Sequence, residues 1–364
     1  MNDKEPLIKI NNLSKSFGSF KALDNISLDI PEGSFTTLLG PSGCGKTTFL
    51  RAIAGFYEPD SGNIYIEGNR VNGLPPHKRN TPLVFQEYAL FPHMTIFENV
   101  SYGLKLAKSP KGQITERVRK TLEIFSLSGL EHRYPKQLSG GQQQRVAFAR
   151  AFILGRRILL LDEPLSNLDA KLRLEVRDEL RTLQLKHGIT TVYVTHDQEE
   201  ALAMSDTIVV FEKGRICQSG TPWEIYFRPS GKFVAGFVGL ANFIDAEVTG
   251  FDGGTILARH NDTLLQINDN GYAVRKGDKV TILIRPECIA LGSKDSAQDS
   301  RPNTLFGEIT GGSFLGRTAR YKVEAGGMLF TADDNDPGMH GLLQGKITVR
   351  FDKNKMHILT DREG

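Results

Sequence analysis

The residues with the most chemistry to offer in this 364-residue chain lie in "GPSGCGKTT", Gly40 to Thr48. The spacing Gly40-x-x-x-x-Gly45-Lys46-Thr47 fits a loop that wraps a triphosphate, with backbone N–H groups turned inward. Glycine lets the backbone approach an anion closely and take φ > 0 where a Cβ would clash. Lys46 can reach the β- and γ-phosphates, and the Thr47 hydroxyl can ligate Mg²⁺. A second candidate is Asp162-Glu163, at the end of the apolar run "ILLLDEP" (158–164). One carboxylate there can hold Mg²⁺, directly or through water, and the other can orient or deprotonate an attacking water. Alone, such a pair is usually a solvated turn. The third is "LSGGQQQRV" (138–146), where Ser139 is a natural N-cap and Gly140-Gly141 bare the N–H groups of a helix start. Alone, that turn is more often a plain cap than an anion site.

These residues need elements to position them. "SFTTLLG" before the loop reads as a buried strand, and "KTTFLRAIAG" after it as a helix whose N-terminus faces the anion. Residues 1 to about 240 alternate strand and helix signals, as a mostly parallel α/β core does. "RRILLLDEP" and "TTVYVTHD" read as buried strands. Between them Leu172, Val176, Leu180 and Leu183 recur at helical spacing, with Gly188 as the stop. The stretch from about 88 to 150 reads as a helical insertion, with "ITERVRKTLEIFSLSGL" its clearest amphipathic segment. Beyond Leu240, over 241–364, glycine turns and short alternating runs replace helical patterns. "NFIDAEVTG" (242–250) is similar to "NTLFGEITG" (303–311), and "KVTILI" (279–284) to "KITVRF" (346–351), at offsets of 61 and 67. Two matches in the same order favour a duplication, hence two intertwined barrel-like modules.

Composition narrows the class. Lys+Arg 45 against Asp+Glu 42 leaves a net charge of +3 with no long basic run, which gives no ground for nucleic-acid binding. Cys44, Cys217 and Cys288 are scattered and odd in number, so neither a disulfide framework nor a zinc site is suggested. "MNDKEPLIKI" lacks the apolar stretch of a signal peptide, and runs such as "ILLL" are too short to span a bilayer. The expectation is a cytoplasmic protein that serves any membrane from its surface.

Phosphate loop, "LSGGQ" and "LLLDEP", in this order, resemble the ATPase subunit of an ATP-binding-cassette (ABC) transporter over residues 1 to about 240. The resemblance implies an α/β P-loop NTPase core with antiparallel β and helical subdomains, and ATP and Mg²⁺ as cofactors. It puts ATP on Gly40, Pro41, Ser42, Gly43, Cys44, Gly45, Lys46, Thr47 and Thr48, with Cys44 a small filler. Gln86 in "LVFQEYALFP" corresponds to a glutamine that meets Mg²⁺ and links core to helical subdomain. Mg²⁺ is thereby expected on Thr47, Gln86 and Asp162, and Glu163 is the expected base. His196 in "YVTHD" matches the histidine that senses the γ-phosphate, and Phe17 in "SKSFGSFKAL" the aromatic that stacks on adenine. Each has a plainer alternative: Gln86 satisfying loop backbone, His196 structural, Phe17 in the core. "SNLD" (166–169) matches the loop across the dimer interface, with Asn167 in place of the more usual alanine. Tyr88, Leu90 and Phe91, ordinarily core types, lie where the family receives a helix of the membrane subunit.

The resemblance also implies partners. Two copies pack head to tail, each phosphate loop closed by Ser139, Gly140, Gly141 and Gln142 of the other. Two permease subunits, and indirectly an extracytoplasmic solute-binding protein, complete an importer at the inner face of the cell membrane. "FVGLANFIDAEV" and "LIRPE" (283–287) look like the tandem OB-like (TOBE) regulatory domain of import ATPases for polyamines, ferric iron, phosphonates or sugars. "VGLANF" leans towards spermidine/putrescine or iron(III). A soluble cassette ATPase acting on DNA or ribosomes usually carries long coiled coils or two cassettes, and neither is present. A non-enzymatic ligand-binding regulator is opposed by the intact Lys46, Glu163 and His196.

Overall fold

The computed structural model describes residues 6–292 and 302–359. The chain divides into two compact units between Pro222 and Trp223. The first opens with a hairpin, β1 (Ile8–Phe17) and β2 (Phe20–Ile30), followed by β3 (Phe35–Leu39), α1 (Lys46–Ala54), β4 (Ser61–Ile66), β5 (Asn69–Arg70) and β6 (Leu83–Val84). Three helices come next: α2 (Ile96–Leu106), α3 (Lys111–Ile124) and α4 (Gly140–Phe152). They form the helical insertion between two core strands. Then follow β7 (Ile158–Asp162), α5 (Ala170–His187), β8 (Thr190–Thr195), α6 (Gln198–Met204), β9 (Thr207–Glu212) and β10 (Arg215–Gly220).

Two sheets result. An antiparallel one has the order β2-β1-β4-β5, and a six-stranded one the order β10-β9-β3-β8-β7-β6, parallel except for β10. Strands β3 and β7 are covered on both faces: all five residues of each are buried. Alternation then divides each strand between two cores. Leu159 and Leu161 pack with the helical insertion and α5, whereas Ile158 and Leu160 pack with α1 and the hairpin sheet. Helix α5 starts on an Asp169 cap and stops at Gly188, whose φ of +61° supplies the left-handed turn. Val176 and Leu180 are its fully buried apolar positions, with Leu172 and Leu183 packed beside them.

Among the described residues the second unit contains α7 (Pro222–Phe227, beginning at the division), α8 (Lys232–Val238), ten strands and two short helical turns. The strands are β11 (Asn242–Asp252), β12 (Thr255–His260), β13 (Thr263–Asn268), β14 (Lys279–Ile284), β15 (Ile289–Gly292), β16 (Thr304–Phe314), β17 (Ala319–Ala325) and β18 (Met328–Asp334). After α9 (Pro337–His340) come β19 (Lys346–Phe351) and β20 (Met356–Leu359). Two five-stranded antiparallel sheets, β13-β12-β11-β14-β20 and β15-β19-β16-β17-β18, share one core.

The repeat seen in the sequence is a repeat of register. Glu247 faces Lys279 in the first sheet, and Glu308 faces Lys346 in the second. The modules are intertwined because each lends its last strand: β15 follows β14 but pairs with β19, and β20 follows β19 but pairs with β14. The equivalent asparagines repeat the exchange. Asn242 bonds both backbone groups of Thr331 in the second sheet, and Asn303 those of Gln266 in the first.

The sequence reading places the change of character at Leu240, yet α7 and α8 belong to the second unit. The reason is Arg285 of "LIRPE". Its side chain is wholly buried and donates to the carbonyls of Tyr226, Ala235, Gly239 and Leu240, while stacking on the Tyr226 ring at 4.2 Å. Burial lowers its pKa, and the five carbonyl bonds and the ring compensate the cost of burying the charge. Among the described residues no helix is long and apolar enough to cross a membrane.

Candidate functional site

The parallel strands β3, β7 and β8 end side by side, and their C-terminal ends carry the candidate residues. Opposite pairs run Leu39↔Thr195 and Asp162↔Val194, so the phosphate loop, Asp162-Glu163 and His196 leave adjacent strands at one edge. Ligands in open α/β sheets bind at this edge, beyond the carboxyl ends of the strands.

The loop 40–45 turns between β3 and α1. Gly45 caps α1 at φ +108°, and a Cβ there would lie 2.5 Å from the Ala22 carbonyl oxygen, so only glycine fits. The first-turn N–H groups of α1 have no partner within the helix and face the loop, a ready site for an anion. The Lys46 ammonium is buried and donates to the carbonyls of Gly40 (2.6 Å) and Pro41 (2.9 Å), with Cys44 Sγ at 3.8 Å. These carbonyls hold the charge over the loop without neutralising it. Cys44 is a buried thiol whose pKa is pushed up by that burial, an inert filler.

Thr47 and Asp162 meet directly, the hydroxyl donating to Oδ1 at 2.8 Å. Arg51 approaches the other oxygen at 3.4 Å. Burial raises the Asp162 pKa, and the Thr47 bond and Arg51 charge oppose the rise. Arg51 was not among the residues the sequence singled out. Its spacing of four from Thr47, on one helix face, was the available signal. No group of three or more His, Cys, Asp or Glu side chains suited to a metal occurs among the described residues. A hydroxyl beside one carboxylate has the donor chemistry that a Mg²⁺ ion otherwise coordinated by water and phosphate oxygens would accept.

Glu163 departs from the strand at φ +46°, a left-handed backbone that a side chain rarely takes. It is held there from both sides. Its N–H donates to the Val194 carbonyl (3.1 Å), and its own carbonyl accepts from the Ser166 hydroxyl (2.9 Å). His196 Nδ1 lies 3.1 Å from Glu163 Oε2, and the ring is 56% exposed while the carboxylate is 19% exposed. A carboxylate oriented by an imidazole at an open strand end can take a proton from water.

The remaining candidates lie around this edge. Gln86 is exposed just beyond β6, the strand that pairs with β7 through Val84 and Leu161. Phe17 is 43% exposed at the end of β1, edge-on to Tyr57 at 5.2 Å, and is therefore not a core residue. Of the three residues placed where the family receives a membrane-subunit helix, Tyr88 is buried while Leu90 and Phe91 are half-buried. Ser139 caps α4 in a reciprocal box with Gln142. A side chain at Gly141 would collide with Leu172, but one at Gly140 would meet only open contact distance, 3.9 Å from Leu168. A side chain at 141 would thus have to displace Leu172, whereas the surface at 140 is clear. No hydrogen bond among the described residues joins the Ser139 turn to the phosphate loop.

A family model described as ABC transporter matches residues 23–166. The chain is 43% identical over 362 residues to a spermidine/putrescine import ATP-binding protein of Rubrobacter xylanophilus, covering 98% of this chain and 94% of that protein. It is 46% identical over 331 residues to an Fe(3+) ions import ATP-binding protein of Rhizobium etli, covering 91% of each. Among solved structures, a dimeric ATP-binding cassette in a post-hydrolysis state, bound to ADP and Pi, superposes with a TM-score of 0.54 at 33% identity. That match covers 59% of this chain and 98% of the other.

Proposed function

The chain belongs to the ABC transporter family as an import ATP-binding subunit, and we propose that it hydrolyses ATP to drive uptake of spermidine or putrescine. The observation that carries the ATPase reading is the cluster at the strand ends. Thr47 and Asp162 lie in contact beside Glu163 paired to His196, all next to the Lys46 loop. Support for polyamine comes from the relative at 43% identity, whose match extends through the second unit as well as the first. An iron(III) importer is the second reading, favoured by the 46% match to an Fe(3+) import protein.

The residues divide the work as follows. Residues Gly40 to Thr48 cradle the triphosphate, and Lys46 turns its ammonium from the loop carbonyls to the β/γ-oxygens. Phe17 offers an exposed ring to the adenine. Mg²⁺, when bound, would be held by Thr47, Asp162 and Gln86 and would neutralise charge on the phosphates. Glu163 takes the proton of the attacking water, and His196 fixes the direction of its carboxylate. Ser139, Gly140, Gly141 and Gln142 of a second copy close over the γ-phosphate in a head-to-tail homodimer. Two permease subunits, fed by a solute-binding protein, receive the resulting motion at the membrane, near Tyr88, Leu90 and Phe91. The first unit carries the catalysis, and the paired OB-like modules of the second, of TOBE type, regulate it.

Steady-state hydrolysis of Mg-ATP by the purified chain tests the reading. Turnover is expected in the wild type and not in Lys46→Ala; a wild-type chain that binds ATP without turnover would refute it.

A further inference from the structure

We propose that Asn167 is a positioning residue for hydrolysis, its amide holding the Gln86 peptide against the turn that follows Glu163. This rests on the ATPase reading above. The turn after Glu163 is fastened at three carbonyls. Ser166 Oγ donates to that of Glu163 (2.9 Å), Gln144 Nε2 of α4 to that of Pro164 (2.9 Å), and Arg173 Nη2 of α5 to that of Leu168 (3.1 Å). Leu165 and Leu168 are buried on either side of the exposed Asn167. A rigid turn therefore presents one amide outward, and Nδ2 donates to the Gln86 carbonyl at 3.1 Å, 81 residues away in sequence.

The receiving segment needs such an anchor. Gln86 follows a strand of only two residues, and its side chain and that of Glu87 are exposed. Beyond them Tyr88 and Ala89 both take left-handed backbone, φ +60° and +46°. Their carbonyls accept from Arg150 of α4 at 2.9 and 2.7 Å. The segment is thus tied at 88–89 to the helical insertion and at 86 to the turn that carries Glu163. An alanine at 167 has no donor to offer. Without the bond, the Gln86 side chain starts from a backbone free to shift against Asp162 and Glu163. Turnover should suffer, but nucleotide affinity should not, because Lys46, Thr47 and the loop amides are untouched.

The test is steady-state Mg-ATP hydrolysis by the full chain in four variants: Asn167→Ala, Asn167→Asp, Gln86→Ala and the Asn167→Ala/Gln86→Ala pair. Asn167→Asp keeps the shape and loses the donor, so it serves even if the alanine variant folds poorly. Each Asn167 variant should lower kcat about three- to tenfold, the scale of one lost hydrogen bond. KM for ATP should stay within about twofold, as expected when only a transition-state contact is lost. In the Gln86→Ala background, Asn167→Ala should cost nothing further, because it acts through the missing side chain. Multiplying losses in the pair, a silent Gln86→Ala, or wild-type kcat in Asn167→Asp would overturn the inference while wild-type hydrolysis leaves the ATPase reading standing. A wild type without hydrolysis would remove both.

Discussion

Replacing Glu163 by glutamine isolates the proton-accepting charge from everything else at the site. Glutamine has the same length, strains no more than glutamate at φ +46°, and keeps an oxygen for His196 Nδ1 at 3.1 Å. The backbone bonds to Val194 and from Ser166 do not involve the side chain, so the fold should be unchanged. What disappears is the charge proposed to accept the proton. General-base contributions are about 10²–10⁴-fold, so kcat should fall by that factor. At 1.36 kcal/mol for each tenfold, this raises the barrier by about 3–5 kcal/mol. Binding should survive, and ATP that cannot be cleaved should collect in closed dimers. Steady-state and single-turnover hydrolysis measure the first effect, and light scattering with and without ATP the second. His196→Ala should also slow turnover by releasing the carboxylate. Hydrolysis by Glu163→Gln within a few-fold of wild type would refute the base assignment and leave His196 the better candidate.

Three further outcomes follow from the same geometry. Ser139→Arg should bind ATP but not turn it over, and mixing it with Lys46→Ala should rebuild one intact composite site per mixed dimer. Full activity in either variant alone would exclude a shared site. Glu200 is buried beneath Tyr193 and Thr195, whose hydroxyls donate to it at 2.6 and 2.7 Å, and burial raises its pKa. A carboxyl raised on folding contributes stability that is present at low pH and lost as pH rises through its folded pKa. Glu200→Gln should therefore gain Tm relative to wild type as pH is raised from 4 to 8, and a pH-independent difference would count against this. Finally, a chain ending at Pro222 should fold and bind ATP, because the second unit holds none of the phosphate-loop residues; loss of binding in a folded fragment would show otherwise.

What could be read from sequence was local or periodic. The apolar run of β7, the 172–183 stripe of α5 with its Gly188 stop, and the doubled strands of the second unit all carry their signal within a few residues. Pairing across long gaps left no such mark. Nothing near Leu240 announces that Arg285 reaches back to fasten α7 and α8, so the change of composition was read as the boundary. That the modules are intertwined was readable from the duplication; that β15 and β20 are the strands exchanged was not, since each has only four residues. Around the phosphate loop the motifs indicated residue types, but the contacts between motifs, Arg51 on Asp162 and Asn167 on Gln86, exist only once β6, β7 and α1 stand together.

Import driven by this chain is tested most directly by uptake into vesicles. Full-length chain assembled with its two permease subunits, with Mg-ATP on its own side and loaded solute-binding protein on the other, should accumulate radiolabelled spermidine as ATP is consumed. Glu163→Gln should stop both together. Uptake that persists in Glu163→Gln, or ATP consumption by the complete assembly with neither spermidine nor iron(III) entering, would contradict the account.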